Sequence, residues 1–140
     1  MIKIISKKTG KHLHTVYKAS EFTSERTELV EEQHFIQCAY LKMDKGKTFR
    51  PHKHIWKEPS FDKMIAQESW VVIRGSVKVF FYDTDMALLE THILNAGDSS
   101  FTLEGGHTYE ILEDDTLVYE YKTGPYEGQA RDKVFQWNYI

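Results

Sequence analysis

Glu68-Ser69-Trp70-Val71-Val72-Ile73-Arg74-Gly75-Ser76-Val77-Lys78-Val79-Phe80-Phe81-Tyr82 decides the class of fold. Both halves of this stretch are rich in β-branched and aromatic residues, which suit a pleated, half-buried surface, and a glycine interrupts them. Glu68 to Arg74 reads as a strand, Gly75-Ser76 as a tight turn, and Val77 to Tyr82 as the hairpin partner. Downstream, Asp83-Thr84-Asp85 turns the chain into a strand over Ala87 to Leu94, and Asn95-Ala96-Gly97-Asp98 is another turn. Ser99 to Leu103 and His107 to Leu112 are short strands around Gly105-Gly106. Glu113-Asp114-Asp115 then turns into a strand over Thr116 to Lys122.

Upstream, Ile55 to Gln67 lacks periodicity and holds Pro59, so it reads as a loop. Before it stand a strand over Thr48 to His54, an Asp44-Lys45-Gly46-Lys47 turn and a strand over His34 to Met43. Residues 20–33 are polar and read as a solvated loop or short helical turn. Residues 2–5 read as a short strand ahead of a Lys8-Thr9-Gly10-Lys11 turn. Turns recurring every eight to ten residues between such runs predict an all-β sandwich or barrel.

The 140 residues suffice for one domain and not for two ordinary ones. Aromatic residues at 14% fit a strand-rich chain with a wide apolar interior. A net charge of -3, with no long Lys/Arg cluster, offers no field for holding nucleic acid. The lone cysteine, Cys38, rules out an internal disulfide and a Cys-rich zinc site, and its apolar surroundings predict a buried, inert thiol. Met1 to Lys8 has too few apolar residues for a signal peptide or a membrane span, so the expectation is a cytoplasmic protein with no membrane partner.

The chemistry centres on Arg50-Pro51-His52-Lys53-His54. Two histidines one residue apart on an extended segment project from the same face. A carboxylate and a third imidazole, offered by Glu68 and His107, would complete a cage for a divalent metal. Three nitrogens and one oxygen suit Fe(II), Mn(II), Ni(II), Co(II) or Zn(II) without selecting among them. By alternation Arg50 would face the same way and could clamp a carboxylate or phosphate. Trp70 would follow Glu68 as a pocket wall for substrate. Tyr109 would follow His107 as a candidate acid or oxyanion donor. His12 and His14 repeat the His-x-His spacing without patterned partners.

These residues resemble the cupin superfamily, small barrels of two antiparallel sheets. The first cupin motif runs Gly, five residues, His-x-His, a short gap, Glu, six residues, Gly. Gly46, His52, His54, Glu68 and Gly75 fit it, apart from a gap of thirteen residues where the family has three or four. Glu58 stands at the usual distance from His54, but Pro59 follows it and Ile65 stands where the closing Gly belongs; both carboxylates remain candidates, with Glu68 preferred. The second motif is degenerate: Leu103 replaces its Pro and Ile111 its Asn, while Gly97, Gly105 and His107 keep its outline.

The resemblance covers about residues 35–122. It implies a cupin-type double-stranded β-helix, or jelly-roll barrel, as one domain over 1–140, with extensions at 1–34 and 123–140. Glu68 to Val72, Gly106 to Glu110 and Lys122 to Gly128 look like small cupins encoded beside sugar-modifying enzymes for surface polysaccharides. The expected activity is therefore a metal-dependent isomerase or epimerase acting on a sugar or nucleotide-sugar. An Fe(II) dioxygenase and a non-catalytic ligand-binding barrel are the alternatives. The alternation of Phe135, Trp137 and Tyr139 in the terminal run reads as a strand that either closes its own barrel or adds to a neighbour's sheet, and the resemblance, small cupins being commonly dimers, implies a homodimer.

Overall fold

The structure is a computed structural model describing residues 1–59 and 61–135. Among the described residues, ten strands form three antiparallel sheets, with almost no helix. Five strands make the largest sheet, in the order β1 (Ile2–Ile5), β2 (His12–Tyr17), β8 (Ser99–Thr102), β5 (Glu68–Arg74), β10 (Leu117–Lys122). A second sheet has the order β7 (Leu88–Asn95), β6 (Ser76–Tyr82), β9 (Gly106–Ile111). β3 (Arg26–Glu28) and β4 (Ala39–Leu41) pair by themselves.

The two larger sheets share one core. Ile4, Val16 and Val72 from the first meet Val77, Val79, Phe81 and Leu94 from the second, all at most 1% exposed. Of the residues before 35, β1 and β2 belong to the main sheet and bring Ile4, Leu13 and Val16 into the interior, whereas β3 pairs outside it. A second cluster, including Tyr17, Leu29, Ile36 and Phe101, packs residues 22–40 against β2 and β8.

The expected hairpin between β5 and β6 does not form. β5 bonds to β8 and β10, and β6 bonds to β7 and β9, so the chain passes from one sheet to the other at Gly75. Gly75 has φ +81, and a Cβ there would sit 2.2 Å from Thr116 Oγ1. Only glycine makes so abrupt a crossing at that contact.

Two further expectations are corrected. Of His34 to Met43 only Ala39–Leu41 is strand, because Gln37 Nε2 donates to the carbonyls of Glu31 and His34 and holds that stretch as a turn. Its partner β3 lies in the stretch expected as loop. Thr48 to His54 forms no strand: among the described residues no segment pairs with it, and a lone strand does not persist in water. Instead, residues 42–67 form one long irregular connection, exposed from 42 to 65 among the described residues. The terminal aromatic stripe lies outside the described residues beyond Phe135; Val134 and Phe135 are irregular.

Candidate functional site

The β8–β9 turn delivers His107 to the interior. Gly105 takes φ +86, and a Cβ there would stand 2.6 Å from the Tyr82 carbonyl and 3.2 Å from His14 Nε2. From this tight approach β9 leaves alongside β6, with His107 opposite Phe81. Glu68 opens β5 in the facing sheet. The two side chains meet across the gap, His107 Nε2 lying 3.1 Å from Glu68 Oε1.

Burial raises the Glu68 carboxyl. The His107 hydrogen bond, with the charges on His107, Lys133 and Lys122, outweighs it and holds the group below its ordinary value. Glu68 is therefore ionised and His107 Nε2–H donates to it. The other ring nitrogen, Nδ1, is buried and has no partner among the described residues. This pair lies in a cavity of about 420 Å³ whose wall also includes Met86, Thr102, Tyr109 and Lys133. A neighbouring cavity of about 490 Å³ shares Ile65, Ala66 and Asp132 with it.

Tyr109 also lines this cavity, with its ring stacked on Trp70 at 3.8 Å and 2° between planes, and its hydroxyl 3.1 Å from Ser100 Oγ. Burial pushes its phenol far up, so the hydroxyl keeps its proton and acts as a donor, not a base. Trp70 stands behind Tyr109 as its support, with Nε1–H donating to Glu120 Oε2 at 3.0 Å.

Arg50, His52 and His54 are placed elsewhere. They are exposed on the irregular connection, where His52 Nδ1 is 3.1 Å from the Arg50 carbonyl and the two imidazole rings are 5.4 Å apart. Glu58 is exposed on the same connection. The fold thus joins Glu68 with His107 and keeps His52 with His54, but does not bring the two pairs together. Among the described residues no three His, Cys, Asp or Glu side chains converge to hold a metal. One carboxylate and one imidazole do not make a transition-metal site, so the donor set as placed does not fit a resident ion.

His14, set aside on spacing alone, lies directly beneath the site. It is fully buried, with Nδ1 3.1 Å from Thr102 Oγ1 and Nε2 2.9 Å from the Tyr82 carbonyl. These partners are 88 and 68 positions away along the chain, so no local spacing announces them. Lys122 and Lys133, each 3.5 Å from Asp132, add the cationic side of the site and carry no sequence signal at all. Compared with protein-family models, curated proteins and solved structures, the chain matches none.

Proposed function

We propose that this is a cupin-type barrel whose 420 Å³ cavity binds a small polar metabolite, a sugar or nucleotide-sugar, and shifts a proton on it as an isomerase or epimerase does. The observation that carries this reading is the Glu68–His107 pair: an ionised carboxylate and an imidazole, 3.1 Å apart, inside a cavity between two sheets. In such a pair one group takes the proton while the other orients its partner and returns it, worth about 10²–10⁴ in rate. The protonated Tyr109 hydroxyl on the wall is placed as a donor to a developing oxyanion. Lys133 and Lys122 favour an anionic ligand.

Incubation of aldoses, ketoses and nucleotide-sugars in D₂O tests the reading. Deuterium entering carbon-bound positions of one of them is expected, with loss of about a hundredfold or more in His107→Ala and Glu68→Gln. Oxygen uptake with that substrate would move the assignment to a dioxygenase, and recovery of a bound ligand unchanged would move it to a binding module.

A homodimer and a cytoplasmic setting go with the proposal. Leu117, Tyr119 and Tyr121 leave an apolar stripe bare on the edge strand β10, beside Ile73 of β5. Covering it with a second copy predicts a dimer mass in solution scattering at micromolar concentration. Among the described residues no helix is long and apolar enough to cross a membrane.

A further inference from the structure

One row of side chains crosses the five-stranded sheet at the cavity. Ile4, His14, Thr102, Glu68 and Lys122 stand directly opposite one another on β1, β2, β8, β5 and β10, so all five project from the same face. The row runs from the apolar core at Ile4 to a cation at Lys122, and Thr102 and Glu68 in its middle line the cavity. Two members are tied to the facing sheet. His14 Nε2 lies 2.9 Å from the Tyr82 carbonyl, and Glu68 Oε1 lies 3.1 Å from His107 Nε2.

Elimination places the protons of this row. A carbonyl oxygen only accepts, so His14 Nε2 carries a hydrogen and donates it to Tyr82. The imidazole is fully buried and hydrogen-bonds no carboxylate, so it stays neutral and its Nδ1 is bare. A bare nitrogen only accepts. In the 3.1 Å contact between Thr102 Oγ1 and His14 Nδ1, the threonine therefore gives up its one hydroxyl proton. Its lone pairs remain on the cavity wall, and no donor among the described residues meets them.

We infer that Thr102 Oγ1 is a specificity-determining acceptor of the cavity, taking a hydrogen bond from a hydroxyl of the bound ligand, and that His14 holds it in that single role. This rests on the cavity being the ligand site. Glu68 stands directly opposite, its Cβ about 5 Å away, so one small ring can meet both acceptors.

The lock is what makes the threonine selective. A freely turning hydroxyl donates to a carbonyl as readily as it accepts from a hydroxyl, and so tolerates either. Locked on His14, Thr102 accepts an O–H but meets a carbonyl or ether oxygen with lone pair against lone pair. The next row supplies the contrast. Ser100, opposite Trp70, shares its hydrogen bond with the Tyr109 hydroxyl, and either oxygen can be the donor there. A sugar in the cavity is thereby oriented, with an unreacting hydroxyl on Thr102 and its carbonyl toward Tyr109.

Two measurements test the inference. In the isotope-labelled chain without ligand, NMR should find the His14 ring proton on Nε2 and a slowly exchanging Thr102 hydroxyl proton coupled to Nδ1. A ring proton on Nδ1 would overturn the inference outright, because Thr102 would then be accepting from His14. The second measurement is calorimetric binding of UDP-glucose and of analogues that each lack one glucose hydroxyl. One analogue should bind about tenfold more weakly than the parent, the cost of a single lost hydrogen bond. Thr102→Val should weaken the parent and the remaining analogues about tenfold while leaving that one analogue unchanged. Thr102→Ser should restore the native pattern. Where the valine chain does not fold, Thr102→Cys reads the same loss, since sulfur is a weak acceptor. A threonine with a structural role alone would weaken every ligand alike, and that result would overturn the inference. Equal binding of all the analogues to the native chain would overturn it too and spare the cavity. A native chain that binds no UDP-glucose would overturn the nucleotide-sugar reading of the cavity, and the inference with it.

Discussion

Glu68 and the His52–His54 pair sit in opposite kinds of structure. Glu68 stands on a strand bonded on both sides, and its β5 neighbours Ser69 and Val72 are buried. His52 and His54 stand on a connection where every described residue from 42 to 65 is exposed, including Phe49 at 62% and Ile55 at 75%. Both stretches are extended in texture. What separates them is a partner: β5 has β8 and β10, while 48–54 has none among the described residues. Strand propensity measures fit to a pleated surface, and it turns into a strand only where such a surface receives it.

The largest contrast should appear in stability. Phe81 is fully buried among residues of both sheets, so Phe81→Ala should cost about 3–5 kcal/mol in urea unfolding. Ile55→Ala on the connection should change stability by no more than about 0.5 kcal/mol. Equal effects would mean that the connection is part of the folded core and would break the comparison.

A second contrast is in pH. Burial pushes the His14 imidazole down to about 4, with the positive charges of His107 and His12 acting in the same direction and the Tyr82 carbonyl opposing them. The folded value lies below the unfolded value of 6.5, so the unfolded chain takes the proton first. The stabilisation is complete above pH 6.5 and is lost as pH falls toward 4. At about 1.4 kcal/mol per unit, the loss is roughly 3 kcal/mol. His14→Asn should remove that slope while lowering stability at pH 7. Urea midpoints at pH 7 and 4.5 read the difference, and an unchanged slope in the variant would place the acid sensitivity elsewhere.

How much of this was legible follows the same division. β5 to β10 could be read to within about a residue, because each run alternates and ends at a turn residue whose φ the turn requires, as at Gly75, Gly97 and Gly105. The Glu68–His107 pair could be named because each lies on such a run. The crossing at Gly75 could not be read, since a glycine with positive φ serves a hairpin and a change of sheet equally well. Nor could the partners of His14 or the lysines around Asp132, which meet only after long loops close. The histidine motif was visible as residues and misplaced as structure, because spacing records which side chains could share a face and not whether a neighbouring strand is there.

The smallest contrast isolates that point with one substitution made twice. Gly75 and Gly46 both have positive φ, +81 and +92. An alanine at either position meets the same backbone strain of about 1–2 kcal/mol. At Gly75 the new Cβ also runs into the Thr116 backbone, whose Cα is 2.9 Å away, whereas at Gly46 nothing lies within 4 Å. Gly75→Ala should therefore exceed Gly46→Ala by about 1 kcal/mol or more in urea unfolding, the margin set by how far Thr116 can yield.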